Sequence, residues 1–147
     1  MSARTERDTL NNLIEVCRDG VRGFRLVADH VSDAELRRIF TDAALQREAF
    51  ASELAPFAER LGGANDTDGT ATGALHRHWM RLKDAIARDD DGMVLTEAIR
   101  GEAHAAGAYA DAVISHLPPE ARPVIERQYN AIREVLLDLS QMALPCA

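Results

Sequence analysis

Apolar residues recur along this chain in alternating steps of three and four, the spacing that keeps positions on one face of an α-helix. Four long stripes result. The first is Leu10, Ile14, Cys17, Val21, Phe24, Ala28 and Val31, and the second is Leu36, Phe40, Ala43, Arg47, Phe50, Leu54, Phe57 and Leu61. The third is Leu95, Ile99, Glu102, Ala106, Tyr109 and Val113, and the fourth is Ile125, Gln128, Ile132, Val135, Leu139 and Met142. Three of these stripes hold a polar residue near mid-length: Arg47, Glu102 and Gln128. Their position directs all three side chains toward the core of a helical bundle.

The breaks between stripes set the helix ends. Thr5 and Asp8 have capping-box spacing and open the first helix, which runs to His30. Ser32 followed by Glu35 is a second capping box and opens the second helix. Gly62-Gly63 ends that helix, and GGANDTDGTATG reads as a flexible corner. A shorter helix follows, with Leu75, Trp79, Leu82 and Ile86 on its buried side. The acidic turn Asp89-Asp90-Asp91-Gly92 stops it and caps the next long helix. Leu117-Pro118-Pro119 breaks the chain again, with Pro119 at a helix start. The pattern predicts helices near 5–30, 33–62, 72–88, 93–117 and 119–143, in a single domain spanning residues 1–147.

Connection lengths then select a topology. The first two long helices are joined by a very short turn, as are the last two, so each pair is an antiparallel hairpin. Between the pairs lie about 30 residues, including a helix of about 16 that covers about 24 Å at 1.5 Å per residue. That helix can carry the chain back along the bundle before the third long helix begins. The predicted fold is all-α: a ferritin-like four-helix bundle, two antiparallel hairpins joined by a long crossover that contains a shorter fifth helix. The second and third long helices should then run parallel.

Composition narrows the function classes. A net charge of −7 argues against nucleic acid as the main partner, because phosphate binding needs clustered Lys and Arg. No stretch approaches the roughly 18 apolar residues of a membrane span, and MSARTERDTLNNLIEVC has no apolar signal region. Cys17 reads as a small buried hydrophobe and Cys146 as an exposed thiol, with no C-x-x-C pattern between them. A reducing cytoplasm fits best.

A carboxylate di-iron centre needs a Glu on each of two helices and a Glu-x-x-His on each of the other two. Here Glu48 is followed three residues later by Ala51, Glu102 by Ala105 and Glu126 by Tyr129. Histidines 30, 76, 78, 104 and 116 have no carboxylate at that offset, so no metal ligand or cofactor is assigned. Arg47 and Glu102 instead make sense as partners, since an isolated buried charge is very costly. Arg47 has donors enough to hold Glu102 in bidentate fashion and still reach Gln128. Tyr109, on the Glu102 stripe, should bury its ring and send its hydroxyl to the same polar layer. The simplest role for this layer is to fix helix register. The alternative is a small-ligand or ion site, or the remnant of a metal centre. Gly20 and Gly23 lie inside the first helix, where each costs about 1 kcal/mol relative to Ala, so something must approach that backbone closely. Trp79 is the candidate. His76, one turn earlier, is either a packing residue or a ligand-binding, pH-sensitive group.

The residues also carry a resemblance, spanning about Thr9 to Met142. Its marks are Asp19-Gly20 with Gly23-Phe24, Gln46-Arg47 with Phe50, Gly73-Ala74-Leu75-His76-Arg77 with Trp79-Met80, then Arg100-Gly101-Glu102, Tyr109 and Gln128. In these the chain resembles a bacterial family of small ferritin-like helical-bundle proteins, stress-associated in type and without an established function. Members of that family often have a His-Asp pair where Leu136-Leu137 stand here. The resemblance implies a bundle protein acting by self-association or partner binding, and allows a homodimer. With no nucleophile–base constellation or phosphate loop in the chain, an enzyme is the less favoured reading. The alternative is a metal- or oxygen-handling ferritin-like protein with an atypical site.

Overall fold

The computed structural model describes the backbone over residues 3–63 and 73–143, and side chains over 5–63 and 77–143. The expected corner over 64–72, the side chains of Leu75 and His76, and the expected exposure of Cys146 lie outside the described residues. Within them the regular structure is helical: α1 (Ala3–His30), α2 (Ala34–Arg60), α3 (Gly73–Ala87), α4 (Asp91–Val113) and α5 (Arg122–Ala143). No helix among the described residues is long and apolar enough to cross a membrane.

Local chemistry explains where each helix stops. Asp33, not Ser32, caps α2: its Oδ1 accepts from the Leu36 amide at 2.9 Å, while Glu35 pairs with Arg38 instead of closing a box. α1 begins at Ala3, so Thr5 and Asp8 lie inside the helix and do not cap it. Gly62 and Gly63 both adopt positive φ, at 120° and 85°. Their amides return to Glu59 and Ala58 in a Schellman arrangement, which a left-handed glycine makes without steric cost. Asn11 then donates from its side chain to the Gly63 carbonyl at 3.2 Å, tying the start of α1 to the end of α2. The acidic turn acts as its sequence suggested. Asp89 takes φ 54°, which Asp tolerates better than most residues, and Asp90 accepts from the Met93 amide at 3.1 Å.

Pro119 does not start α5. It sits in a turn, and the helix begins three residues later at Arg122. Arg122 itself closes the preceding helix, donating to the Val113 carbonyl at 2.6 Å and the Ser115 carbonyl at 2.8 Å.

Two clusters of buried side chains give the helix directions. One joins Leu10 and Leu13 of α1 to Leu54 and Ala58 of α2, Tyr109 and Ala112 of α4, and Ile125 of α5. The other joins Val27 and Val31 of α1 to Leu36 and Phe40 of α2, Leu82 of α3, Val94 of α4, and Leu139 of α5. Thus α1 and α2 are antiparallel, α4 and α5 are antiparallel, and α2 and α4 run in the same direction, with α3 between them in sequence.

The stripes need small rotations. On α4 the buried face is Val94, Leu95, Ala98, Glu102, Ala105, Tyr109 and Ala112, while Ile99, Ala106 and Val113 are only half-buried. On α5, Met142 is exposed, whereas Ile125, Gln128, Ile132 and Leu139 are buried. Leu137 is exposed too.

Candidate functional site

Between the two apolar clusters lies a buried ion pair. Arg47 on α2 and Glu102 on α4 are each 1% exposed, so neither charge has water to stabilise it. Arg47 Nη1 donates to Glu102 Oε1 at 2.7 Å, and Nη2 donates to Oε2, a planar fork meeting both carboxylate oxygens. The Phe24 ring lies 5.3 Å from the guanidinium carbon and stacks on Phe40 at 5.9 Å, adding a cation–π contact. Among the described residues, Arg47 Nε is buried without a hydrogen-bond partner.

Gln128 is buried but does not join this pair. Its Oε1 accepts from the Tyr109 hydroxyl at 2.6 Å, and its Nε2 donates to the Phe50 carbonyl and to Glu53 Oε1, both at 3.3 Å. Cys17 Sγ lies 3.2 Å from the Tyr109 oxygen, and since that hydroxyl's one proton goes to Gln128, the thiol is the donor. Burial raises the pKa of both Tyr109 and Cys17, which keeps each neutral in the core. The expected single polar layer is therefore two separate arrangements: a closed ion pair, and a chain from Cys17 through Tyr109 and Gln128 to Glu53. Gln128 is instead taken up by Tyr109, Phe50 and Glu53.

A cleft of about 230 Å³ opens beside the ion pair, walled by α1, α3 and α4. Asp19, Gly20, Gly23 and Phe24 line it from α1, and His78, Trp79, Arg81 and Leu82 from α3. Arg100, Gly101 and His104 line it from α4, with Arg47 and Glu102 at its base. Close approach accounts for Gly20 and Gly101 but not for Gly23, where a side chain would make only ordinary contact. A Cβ on Gly20 would stand 3.2 Å from Arg47 Cγ, whereas one on Gly23 would stand 3.9 Å from Trp79 and Leu82. Gly101 admits the His78 ring, whose Nε2 would lie 2.7 Å from an added Cβ.

Charges gather at the mouth. Asp19 is half-buried; desolvation raises its pKa, and Arg22 at 3.3 Å opposes that rise. Burial lowers the pKa of His78, with Glu97 at 3.6 Å acting in the other direction. Glu97 is buried and also holds Arg81 at 3.2 Å and Arg100 at 3.5 Å. Among the described residues, no group of three or more His, Cys, Asp and Glu could hold a metal ion.

Of the residues singled out from sequence, Arg47 and Glu102 meet at the base of the cleft, Asp19 and Trp79 line it, and Tyr109 with Gln128 form the neighbouring chain. His76 lies in α3, but its side chain is outside the described residues. Sequence reasoning missed Glu97 and Arg81, met Arg100 only as a mark of the resemblance, and set His78 aside as a metal ligand without assigning it a place. Glu97 stands five residues before Glu102, off the predicted apolar stripe; Arg100 reaches it from one turn along α4, but Arg81 and His78 do so only once α3 packs against α4. No curated protein matches the chain. Residues 5–115, which carry the ion pair, the cleft and Tyr109, match the family described as a domain of unknown function (DUF2383), and the chain belongs to that family.

Proposed function

We propose that this protein is a ferritin-like bundle that acts by binding, through self-association or a partner, and not by catalysis. The supporting observation is the bidentate Arg47–Glu102 pair. It occupies the mid-bundle level at which ferritin-like carboxylate proteins place ligands for metal. Both oxygens of Glu102 accept from an arginine that cannot be deprotonated, so binding a cation there would leave a buried guanidinium without its acceptor. Parallel α2 and α4, with α3 between them in sequence, support the ferritin-like reading, since two hairpins joined by one long crossover have that connectivity.

The test is ferrous iron added anaerobically to the full chain, followed by air. The binding reading expects oxidation at the rate of buffer alone. Accelerated oxidation that disappears in Glu102→Gln would overturn it, in favour of an oxygen-handling bundle.

A further inference from the structure

The cleft has both the size and the charge pattern of a small-molecule site. An apolar cavity of roughly 150 Å³ accommodates benzene, so about 230 Å³ holds a ring with a short side chain. Most of its walls are apolar, with Val16, Val27, Leu82 and the Trp79 indole among them, and the charges of Arg47 and Glu102 at the base already satisfy each other.

The mouth supplies the polar anchor. Arg81 gives its Nε and Arg100 one Nη to the same carboxylate, Glu97. Each guanidinium has five N–H donors, so most of both remain available, and both side chains are about half-exposed. Two arginines on one carboxylate leave an uncompensated positive charge. On the opposite wall Asp19 is matched by Arg22. The chain as a whole carries −7, so this is a local reversal of sign in a low-dielectric recess, where field lines concentrate.

We propose that the cleft between α1, α3 and α4 binds a small carboxylate with an apolar, ring-sized body, the ring lying against Trp79 and the carboxylate on Arg81 and Arg100. An amine fits less well. Asp19, the carboxylate at the mouth, already has a cation, and burial favours its neutral form. This goes beyond the binding reading above, and neither test decides the other: iron oxidation reports on Glu102, whereas the cleft is probed through Arg81, Arg100 and Trp79.

Trp79 is the chain's one tryptophan, so its fluorescence reports directly on occupancy. The full chain is titrated with phenylacetate, phenylacetamide, benzylamine and inorganic phosphate, by calorimetry and by Trp79 emission. Phenylacetate should saturate and change the emission, with phenylacetamide and benzylamine at least about tenfold weaker and phosphate silent, as for a charge-assisted anchor over an apolar pocket. The pair R81Q/R100Q, both at exposed positions, should weaken phenylacetate at least about tenfold while leaving helical circular dichroism unchanged. Gly23→Leu, which projects toward Trp79, should abolish binding of every probe. Equal affinity for phenylacetate and benzylamine, indifference to R81Q/R100Q, or no phenylacetate binding at millimolar concentration would each overturn the proposal.

Discussion

Replacing Glu102 by Ala while retaining Arg47 exposes what the buried pair contributes. Both side chains are 1% exposed, and the two hydrogen bonds between them satisfy both carboxylate oxygens and two of the three guanidinium nitrogens. Arg47 Nε is already without a partner among the described residues, so in the variant the whole guanidinium loses its acceptors inside the core. Breaking a buried pair from one side costs about 3–5 kcal/mol, because the remaining charge is neither solvated nor matched. The joint replacement Arg47→Met with Glu102→Leu removes both charges and keeps similar volume. It should cost far less than Glu102→Ala, and it can even stabilise. Phe24, now beside a thioether, loses a cation–π contact of about 0.5–2 kcal/mol, which sets the scale of the residual loss. Urea denaturation followed by circular dichroism gives all the free energies, with equal m-values as the check that one transition is compared throughout. Coupling of only about 0–1 kcal/mol, the range of exposed pairs, would refute the reasoning.

Gly107 meets nothing within 4 Å and is exposed within α4, so Gly107→Ala should stabilise the protein by about 1 kcal/mol in thermal or urea unfolding. Gly20→Ala, with Arg47 Cγ at 3.2 Å and the arginine clamped by Glu102, should lose that gain and fall below wild type. Equal gains at the two sites would show the ion pair to be loosely held. Tyr109→Phe strands the Gln128 carbonyl oxygen and the Cys17 thiol, and should cost about 1–3 kcal/mol by the same measurement. For Asp19, a pKa raised on folding means the native state holds its proton more tightly than the unfolded chain. Its ionisation therefore lowers stability as pH rises from the ordinary value of 3.8 through the folded one. The stability of Asp19→Asn relative to wild type should therefore grow as pH rises through that range, followed by urea unfolding; a margin that shrinks with pH would contradict the shift.

Much of this arrangement is legible in the sequence because helical periodicity is a local property. The mid-stripe positions of Arg47 and Glu102 sufficed to place both in the core, since a residue flanked at three- and four-residue steps by Phe40, Ala43, Phe50 and Leu54 has nowhere else to point. The asymmetry of connection lengths separated parallel from antiparallel α2 and α4. What stayed hidden depends on docking between helices. Choosing between Ser32 and Asp33 as cap turns on a single dihedral. Gln128 pairs with Tyr109, the Phe50 carbonyl and Glu53 because of how α2, α4 and α5 meet, which no local pattern gives. The cleft could not be read at all: Gly20, Gly23 and Gly101 are visible as costly residues, but only the packing of α3 shows that two of them admit His78 and face Trp79, while Gly20 faces Arg47.

The account turns on Glu102 being held by Arg47 and not by a metal. Elemental analysis of the full chain, purified without added metal or chelator, addresses this most directly. The prediction is iron, manganese and zinc well below stoichiometric amounts, in the wild type and in Glu102→Gln alike. Near one metal per chain in the wild type, lost in Glu102→Gln, would contradict it.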